Sequence, residues 1–114
     1  MEIMWENVAI IRNEEGLKLA LARIEEIQNK LPDMKVSKDS GYSKDLLDAI
    51  EIQNMLEVAS LVIQSALIRR ESRGSQYRED YPDRDERWNR SIVMNKNKDF
   101  SYIRRGMGCN TCKL

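Results

Sequence analysis

The sequence predicts an all-α fold, an up-and-down three-helix bundle of the spectrin-repeat kind, followed by an extended arm. The chain has 114 residues, 33% of them charged, and only 5 Gly and 2 Pro, which is typical of one helix-rich globular domain. Apolar residues recur at steps of three and four as far as Ile68, and no amphipathic stripe follows Gly74. We therefore divide the chain into a helical bundle over residues 1–74 and an arm over residues 75–114.

The first two helices follow from short apolar stripes. Met4, Val8 and Ile11 have helical spacing and predict a short helix that ends near Ile11. Asn13 is a favourable N-cap for the second helix, and Pro32 ends it. The stripe of this second helix consists of Leu17, Ala20, Leu21, Ile24, Ile27 and Leu31.

The third helix is predicted to be the longest, after a loop of about ten residues over 33–42. Ser43 is a suitable N-cap, and we expect the helix to run to about Ser72. Gly74 is placed to end this helix in a left-handed conformation. Because apolar residues cover more than one side of the helix, we expect a second surface to cover it.

The arm lacks an amphipathic stripe. Two β-prone runs, residues 92–94 and 100–103, flank a polar turn and predict a small hairpin over 91–104. The chain then ends in a tail, which we expect to be flexible, with the CxxC pair Cys109 and Cys112. These are two of the four ligands that a structural zinc site needs, so a second copy or a partner would have to complete it. A thioredoxin-type role would need a βαβ setting, which this sequence does not predict. A reducible tail without a metal or redox role is therefore the favoured interpretation.

Composition narrows the function classes. The chain has no histidine, which removes imidazole bases and imidazole metal ligands from consideration. Lys+Arg and Asp+Glu are both 19, so we expect no nucleic-acid partner, and the acidic residues of the arm cancel its arginines. No apolar run is long enough for membrane insertion, and the start is acidic rather than signal-like. We expect a cytoplasmic location.

One run of residues carries a resemblance. Glu71-Ser72-Arg73-Gly74 is followed by residues 76–82, Gln-Tyr-Arg-Glu-Asp-Tyr-Pro, and then by Trp88. This resembles the C-terminal helical domain of the succinate dehydrogenase and fumarate reductase flavoproteins, which is also found in L-aspartate oxidase. The resemblance covers about residues 3–93. It departs from the family pattern at Gln76, where a histidine is usual.

The resemblance implies a non-catalytic domain that buttresses the flavin-binding domain of the same or a neighbouring polypeptide and helps present a surface to an iron–sulfur subunit. The family's flavin motif and catalytic residues lie upstream of this domain, so we expect FAD in the parent enzyme, no cofactor in this chain, and no activity in the chain alone. The parent would interconvert succinate and fumarate, in the cytoplasm or peripheral to the inner face of the membrane through partner subunits. The residues predicted to dock the domain are Glu71, Arg73, Gln76, Tyr77, Arg78, Asp80 and Trp88.

Two alternatives remain open. The chain could be a free-standing helical protein-interaction module, or a split subunit that joins its flavin domain as a separate polypeptide. In isolation, the wide apolar face of the third helix favours self-association into a homo-oligomer.

Overall fold

The computed structural model describes residues 2–33, 44–95, 97, 99–104 and 111–112 of the chain. Within these residues lie three α-helices: α1 (Glu2–Val8), α2 (Glu14–Lys30) and α3 (Lys44–Ile68). α2 packs against both α1 and α3. The predicted three-helix, all-α fold with a small hairpin is confirmed.

The helix α2 is positioned by its first residues and its apolar stripe. The side-chain oxygen of Asn13 accepts a hydrogen bond from the backbone N–H of Gly16 at 2.7 Å, as expected of an N-cap. A short 3-10 turn, Leu31–Asp33, contains Pro32 and follows the helix. The core consists of Val8, Leu17, Ala20, Ile24, Leu56, Ile63 and Ala66. Burial of each leucine or isoleucine contributes roughly 1.5–3 kcal/mol.

Two helix ends differ from the prediction. The first helix ends at Val8 rather than near Ile11, because the backbone at Ile11 is extended and forms a β-strand. α3 ends at Ile68 and not at about Ser72, so Arg69 lies beyond the helix. The predicted cap Ser43 and nearly all of the predicted loop lie outside the described residues. No helix in the described part of the chain is both long and apolar enough to cross a membrane.

The arm returns to the bundle instead of leaving it. Strand β1 (Ile11–Arg12) pairs in parallel with β2 (Tyr77–Arg78). The Tyr77 N–H donates to the carbonyl of Ile10 at 2.9 Å, and the Glu79 N–H donates to that of Arg12 at 2.8 Å. The start of the arm is therefore tied by its backbone to the connection between α1 and α2.

The predicted hairpin is present. β3 (Arg90–Met94) pairs antiparallel with β4 (Phe100–Arg104), and β5 (Thr111–Cys112) pairs with the other edge of β4. A short 3-10 turn, Glu86–Trp88, precedes β3. The hairpin therefore grows into a three-stranded antiparallel sheet within the described residues.

Gly74 has a left-handed backbone, but not as a helix cap. Its φ is +61°, and it lies in the tight turn between Arg73 and Gln76, whose backbones exchange hydrogen bonds of 2.9 and 3.1 Å. An added Cβ would meet nothing within 4 Å, so the requirement for glycine comes from the backbone angle alone. This turn reverses the direction of the chain, so that the arm runs back past the end of α3.

Gly74→Ala should lower the free energy of unfolding by about 1 kcal/mol, because an L-residue is strained at this φ. Urea unfolding followed by far-UV circular dichroism measures the change. Ser75→Ala, in the same turn, is the matched control and should stay within about 0.5 kcal/mol of the original chain. Equal stability of Gly74→Ala and the original chain would contradict the strain argument.

Candidate functional site

Polar side chains meet where α1, α3 and the arm converge. We call this cluster the junction; it consists of Arg12, Arg69, Glu71, Arg73, Gln76, Arg78 and Asp80. The turn at Gly74 and the β1–β2 pairing bring its members together. Five of the seven residues predicted to dock the domain belong to it.

Glu71 is the centre of one half of the junction, with 0% exposure. One carboxylate oxygen accepts hydrogen bonds from Arg69 and Arg73, each at 2.7 Å. The other oxygen accepts the backbone N–H of Asp85 at 2.9 Å. Burial alone raises the pKa of Glu71, but the hydrogen bonds from Arg73, the Asp85 N–H and Arg69 outweigh it, so that the pKa lies below its ordinary value. The ionised carboxylate of Glu71 therefore links the residues that follow α3 to the backbone of Asp85 in the arm.

Arg78 is the centre of the other half, also with 0% exposure. Its guanidinium donates to the carbonyl of Ala66 at 2.7 Å, with longer contacts to the carbonyls of Leu67 (3.4 Å) and Arg69 (3.5 Å). These carbonyls lie at the end of α3, where oxygens lack helical partners and the helix dipole is negative. Arg78 is thus a side-chain cap supplied from the arm, and its capping of these carbonyls accounts for the end of the helix at Ile68.

The same guanidinium forms a two-pronged pair with Asp80. The Arg78 Nε donates to one Asp80 oxygen at 2.8 Å, and a terminal nitrogen donates to the other. Hydrogen bonding from Arg78 is the largest cause of the lowered pKa of Asp80, and the same bond raises the pKa of Arg78. All three nitrogens of the planar fork take part in this arrangement, which favours arginine over lysine.

Arg12 and Gln76 connect the two helix ends. The Arg12 Nε donates to the carbonyls of Ala9 (2.6 Å) and Val8 (3.1 Å), and a terminal nitrogen donates to Gln76 Oε1 at 2.8 Å. The Gln76 amide donates to the carbonyls of Arg69 (3.4 Å) and Glu71 (3.3 Å). Burial and then repulsion from Arg78 lower the pKa of Arg12. Gln76 therefore links the end of α1, through Arg12, to the carbonyls that follow α3.

Trp88 is attached to the junction through Arg69, whose guanidinium donates to the carbonyls of Trp88 (3.0 Å) and Arg90 (2.7 Å). The Trp88 ring meets the Tyr102 ring edge-on at 5.9 Å, and the Arg90 guanidinium lies over both. This aromatic cluster holds the hairpin against the end of α3. Tyr77 contributes its backbone to β2, and the residue is 44% exposed.

Sequence reasoning missed three residues that complete the site. Arg12 and Arg69 each donate hydrogen bonds to two backbone carbonyls. The Ser72 hydroxyl donates to the carbonyl of Tyr81 at 2.7 Å and accepts a hydrogen bond from the Arg78 N–H at 2.9 Å, so it is bonded to the arm as both donor and acceptor. For Arg12 the available signal was positional, since an arginine just after a helix can bind its final carbonyls. Arg69 also follows a helix, but it binds carbonyls of the arm, which depends on where the arm folds back.

The CxxC pair is placed only in part. Cys109 lies outside the described residues, and Cys112 lies in β5. Within the part of the chain that the structure describes, no group of three or more cysteine or acidic residues could hold a metal ion. A role for the two cysteines stays a prediction.

The ionisable groups of the junction hold segments of the chain in place. The two carboxylates at its centre, Glu71 and Asp80, have lowered pKa values because they accept hydrogen bonds from guanidinium groups. A general acid or base works best with a pKa near the operating pH. The geometry therefore favours positioning over proton transfer.

Comparisons with known proteins agree with this arrangement. The family model described as "Fumarate reductase flavoprotein C-term" matches residues 1–107. A polypeptide of the fumarate reductase (CoM/CoB) of Methanothermobacter marburgensis is 47% identical over 104 residues, which covers 91% of this chain and 19% of that protein. The L-aspartate oxidase of Synechocystis sp. is 33% identical over 112 residues, covering 86% of this chain and 20% of the enzyme.

A solved structure shows the same fold. The Mycobacterium smegmatis Sdh1 complex in the apo form matches 80% of this chain and 16% of its own chain, with a TM-score of 0.74 and 35% identity. The chain spans about a fifth of the length of the two curated relatives described above. The chain therefore belongs to the family of C-terminal domains of the fumarate reductase and succinate dehydrogenase flavoproteins.

Proposed function

We propose that this domain is the non-catalytic buttress of the flavin-binding domain in an FAD-dependent enzyme that interconverts succinate and fumarate. FAD and the reacting dicarboxylate would bind to the remaining four fifths of the parent protein, and an iron–sulfur subunit would be its electron-transfer partner. The enzyme would work in the cytoplasm or beside the inner face of the membrane. Membership in the family and the short span of the chain relative to its relatives support this proposal.

The observation that carries the proposal is the second apolar face of α3. Leu56 and Ile63 are buried against the other helices. Met55, Val58 and Val62 follow one another at steps of three and four on a different side, and each remains exposed, Val58 by 58%. A helix with apolar residues on two sides is stable when both sides are covered, and the described residues cover one of them. We assign the second cover to the flavin-binding domain.

The junction would give that contact a fixed geometry. Glu71 and Arg78 are fully buried inside the chain, so their docking role would be indirect: they hold the arm in place. Tyr77, with its exposed surface, and Trp88 would then be presented to the flavin domain in one orientation. A rigid arm loses little conformational entropy on binding, which strengthens the contact.

The test is a reconstitution of the domain with the flavin-binding part of its parent, each produced as a separate polypeptide. We expect the original chain to bind and to increase the FAD retained by the partner. Val58→Asp should weaken binding at least tenfold, because an acidic group would have to be desolvated in an apolar contact. Calorimetry gives the Kd, and flavin absorbance gives the retained FAD.

Leu19→Asp is the matched control, since Leu19 is 54% exposed but lies on α2. It should bind as the original chain does, and both variants should keep their melting temperatures. Failure of the original chain to bind would contradict the buttress and leave the free-standing interaction module as the better explanation. Equal binding by Val58→Asp and Leu19→Asp would remove the α3 face from the contact.

A further inference from the structure

Two arginines at the outer edge of the junction lack a carboxylate. Five arginines around them are paired: Arg69 and Arg73 with Glu71, Arg78 with Asp80, Arg84 with Glu86 and Arg87 with Asp85. Within the described residues, Arg70 and Arg90 have no ion pair; Arg70 helps to lower the pKa of Glu14, but that carboxylate is bonded to Lys18. Neither arginine is therefore in direct contact with a carboxylate among the described residues.

Arg90 is held in place while one of its donors goes unused. Its guanidinium lies 4.2 Å from the centre of the Tyr102 ring and 5.2 Å from that of Trp88. Its Nε is buried and has no hydrogen-bond partner among the described residues. A guanidinium held over two rings loses little entropy when an acceptor arrives. Because the Nε itself is closed to solvent, an acceptor from outside this chain would bind the terminal nitrogens of the same guanidinium.

Both arginines line one cavity of about 420 Å³, together with Tyr81, Asp85, Arg87 and Trp88. Asp85 and Arg87 neutralise each other through two-pronged hydrogen bonds. The charges that remain in the lining are those of Arg70 and Arg90, and Tyr81 and Trp88 are its aromatic residues. The volume suits one or two side chains, and arginine with aromatic residues is the composition of energetically dominant contacts in protein interfaces.

We propose that this cavity receives an acidic side chain, Asp or Glu, from the flavin-binding part of the parent polypeptide. The inference rests on the proposed function, because it names the chemistry of the partner's contact with the arm. A polypeptide is favoured over a free anion because four fifths of each curated relative lies outside the matched region, and because the cavity shares Trp88 with the predicted docking residues. The carboxylate would pair with the guanidinium groups of Arg70 and Arg90 in the cavity lining.

The experiment measures the Kd of the chain for the separately produced flavin-binding part, at low and high salt. Arg90→Gln and Arg70→Gln should each weaken binding about tenfold and reduce the salt dependence of the Kd, because each removes a cation from a charged contact. Arg70 is exposed, so Arg70→Gln keeps the test valid if Arg90→Gln disturbs the hairpin. Arg84→Gln removes an arginine of the same arm that lies outside the cavity and should leave the Kd unchanged.

Three results would overturn the inference in distinguishable ways. If the original chain binds and all three variants bind equally, the cavity has no role while the buttress stands. If the original chain does not bind, the proposed function itself fails. In the third experiment, the chain alone is titrated with succinate and with sulfate, and Trp88 fluorescence is followed in a Trp5→Phe background. Millimolar binding of either anion that Arg90→Gln abolishes would show a small-anion site instead of a side-chain site.

Discussion

Arg78→Met should lower the free energy of unfolding of the domain by about 3 kcal/mol, the largest effect of any single substitution in the arm. Methionine fills much of the volume but supplies no donors. The carbonyl of Ala66 then loses its 2.7 Å partner, and Asp80 loses the guanidinium that holds both of its oxygens. Because a buried acceptor without a donor is costly, the end of α3 and the start of the arm should loosen together.

Thermal and urea unfolding measure this loss, and a decrease in melting temperature of more than about 10 °C is expected for a domain of this size. Arg87→Met is the matched control, since the Arg87 side chain is almost fully exposed and pairs with Asp85 at the surface. Its effect should stay below about 1 kcal/mol. Arg78→Lys should fall between the two, because an ammonium group cannot reproduce the planar fork. Equal stability of Arg78→Met and Arg87→Met would refute the capping role.

Glu71→Gln should cost about 2–3 kcal/mol at pH 7, although the two side chains have the same shape. The amide keeps one acceptor, but it turns an NH₂ group towards the N–H of Asp85 or towards the guanidinium groups of Arg69 and Arg73. At least one buried donor would then face another donor, and the two arginines would lose their counter-charge.

The effect should depend on pH in a defined direction. The pKa of Glu71 in the folded chain lies below its ordinary value of about 4.3, so the ionised carboxylate stabilises the fold fully above that pH. This contribution is lost as the pH falls from about 4.3 through the folded-state pKa. The difference between the original chain and Glu71→Gln should therefore shrink at low pH, because a protonated glutamate resembles glutamine.

Unfolding by urea at a series of pH values from 7 to 2.5 checks both statements. Glu26→Gln makes the same chemical change in an exposed pair with Lys30, one turn apart on α2, and should cost at most about 0.5 kcal/mol at any pH. A loss for Glu71→Gln that is the same at pH 3 as at pH 7 would show that charge is not what Glu71 contributes.

Much of the fold was predictable because it follows from local features of the sequence, namely apolar periodicity, helix caps and turn residues. The stripe from Leu17 to Ile24, the cap at Asn13 and the break near Pro32 set α2 within a few residues. The hairpin followed from two β-prone runs and a polar turn, and β3 and β4 lie where those runs are. Periodicity and turn chemistry act over a few residues, so they can be read without knowing where distant segments lie.

The docking residues were a different kind of prediction. The resemblance at residues 71–88 identified which side chains belong together, and the structure brings Glu71, Arg73, Gln76, Arg78 and Asp80 into one cluster. The same residues did not indicate that Arg78 would be buried as a helix cap. A charged side chain can lie at a surface or in a buried pair, and only its neighbours decide which.

By itself, the sequence determined the three helices, the hairpin, the family of the domain and most of the residues that form the junction. Only the tertiary structure decided that α3 ends at Ile68, that Gly74 forms a turn instead of a cap, and that the arm folds back on its own bundle. The physical reason is the distance along the chain. The pairing of Ile11 with Tyr77 and the capping of Ala66 by Arg78 join segments that carry no local signal for each other, and these contacts outweigh the helical preference of the residues after Ile68.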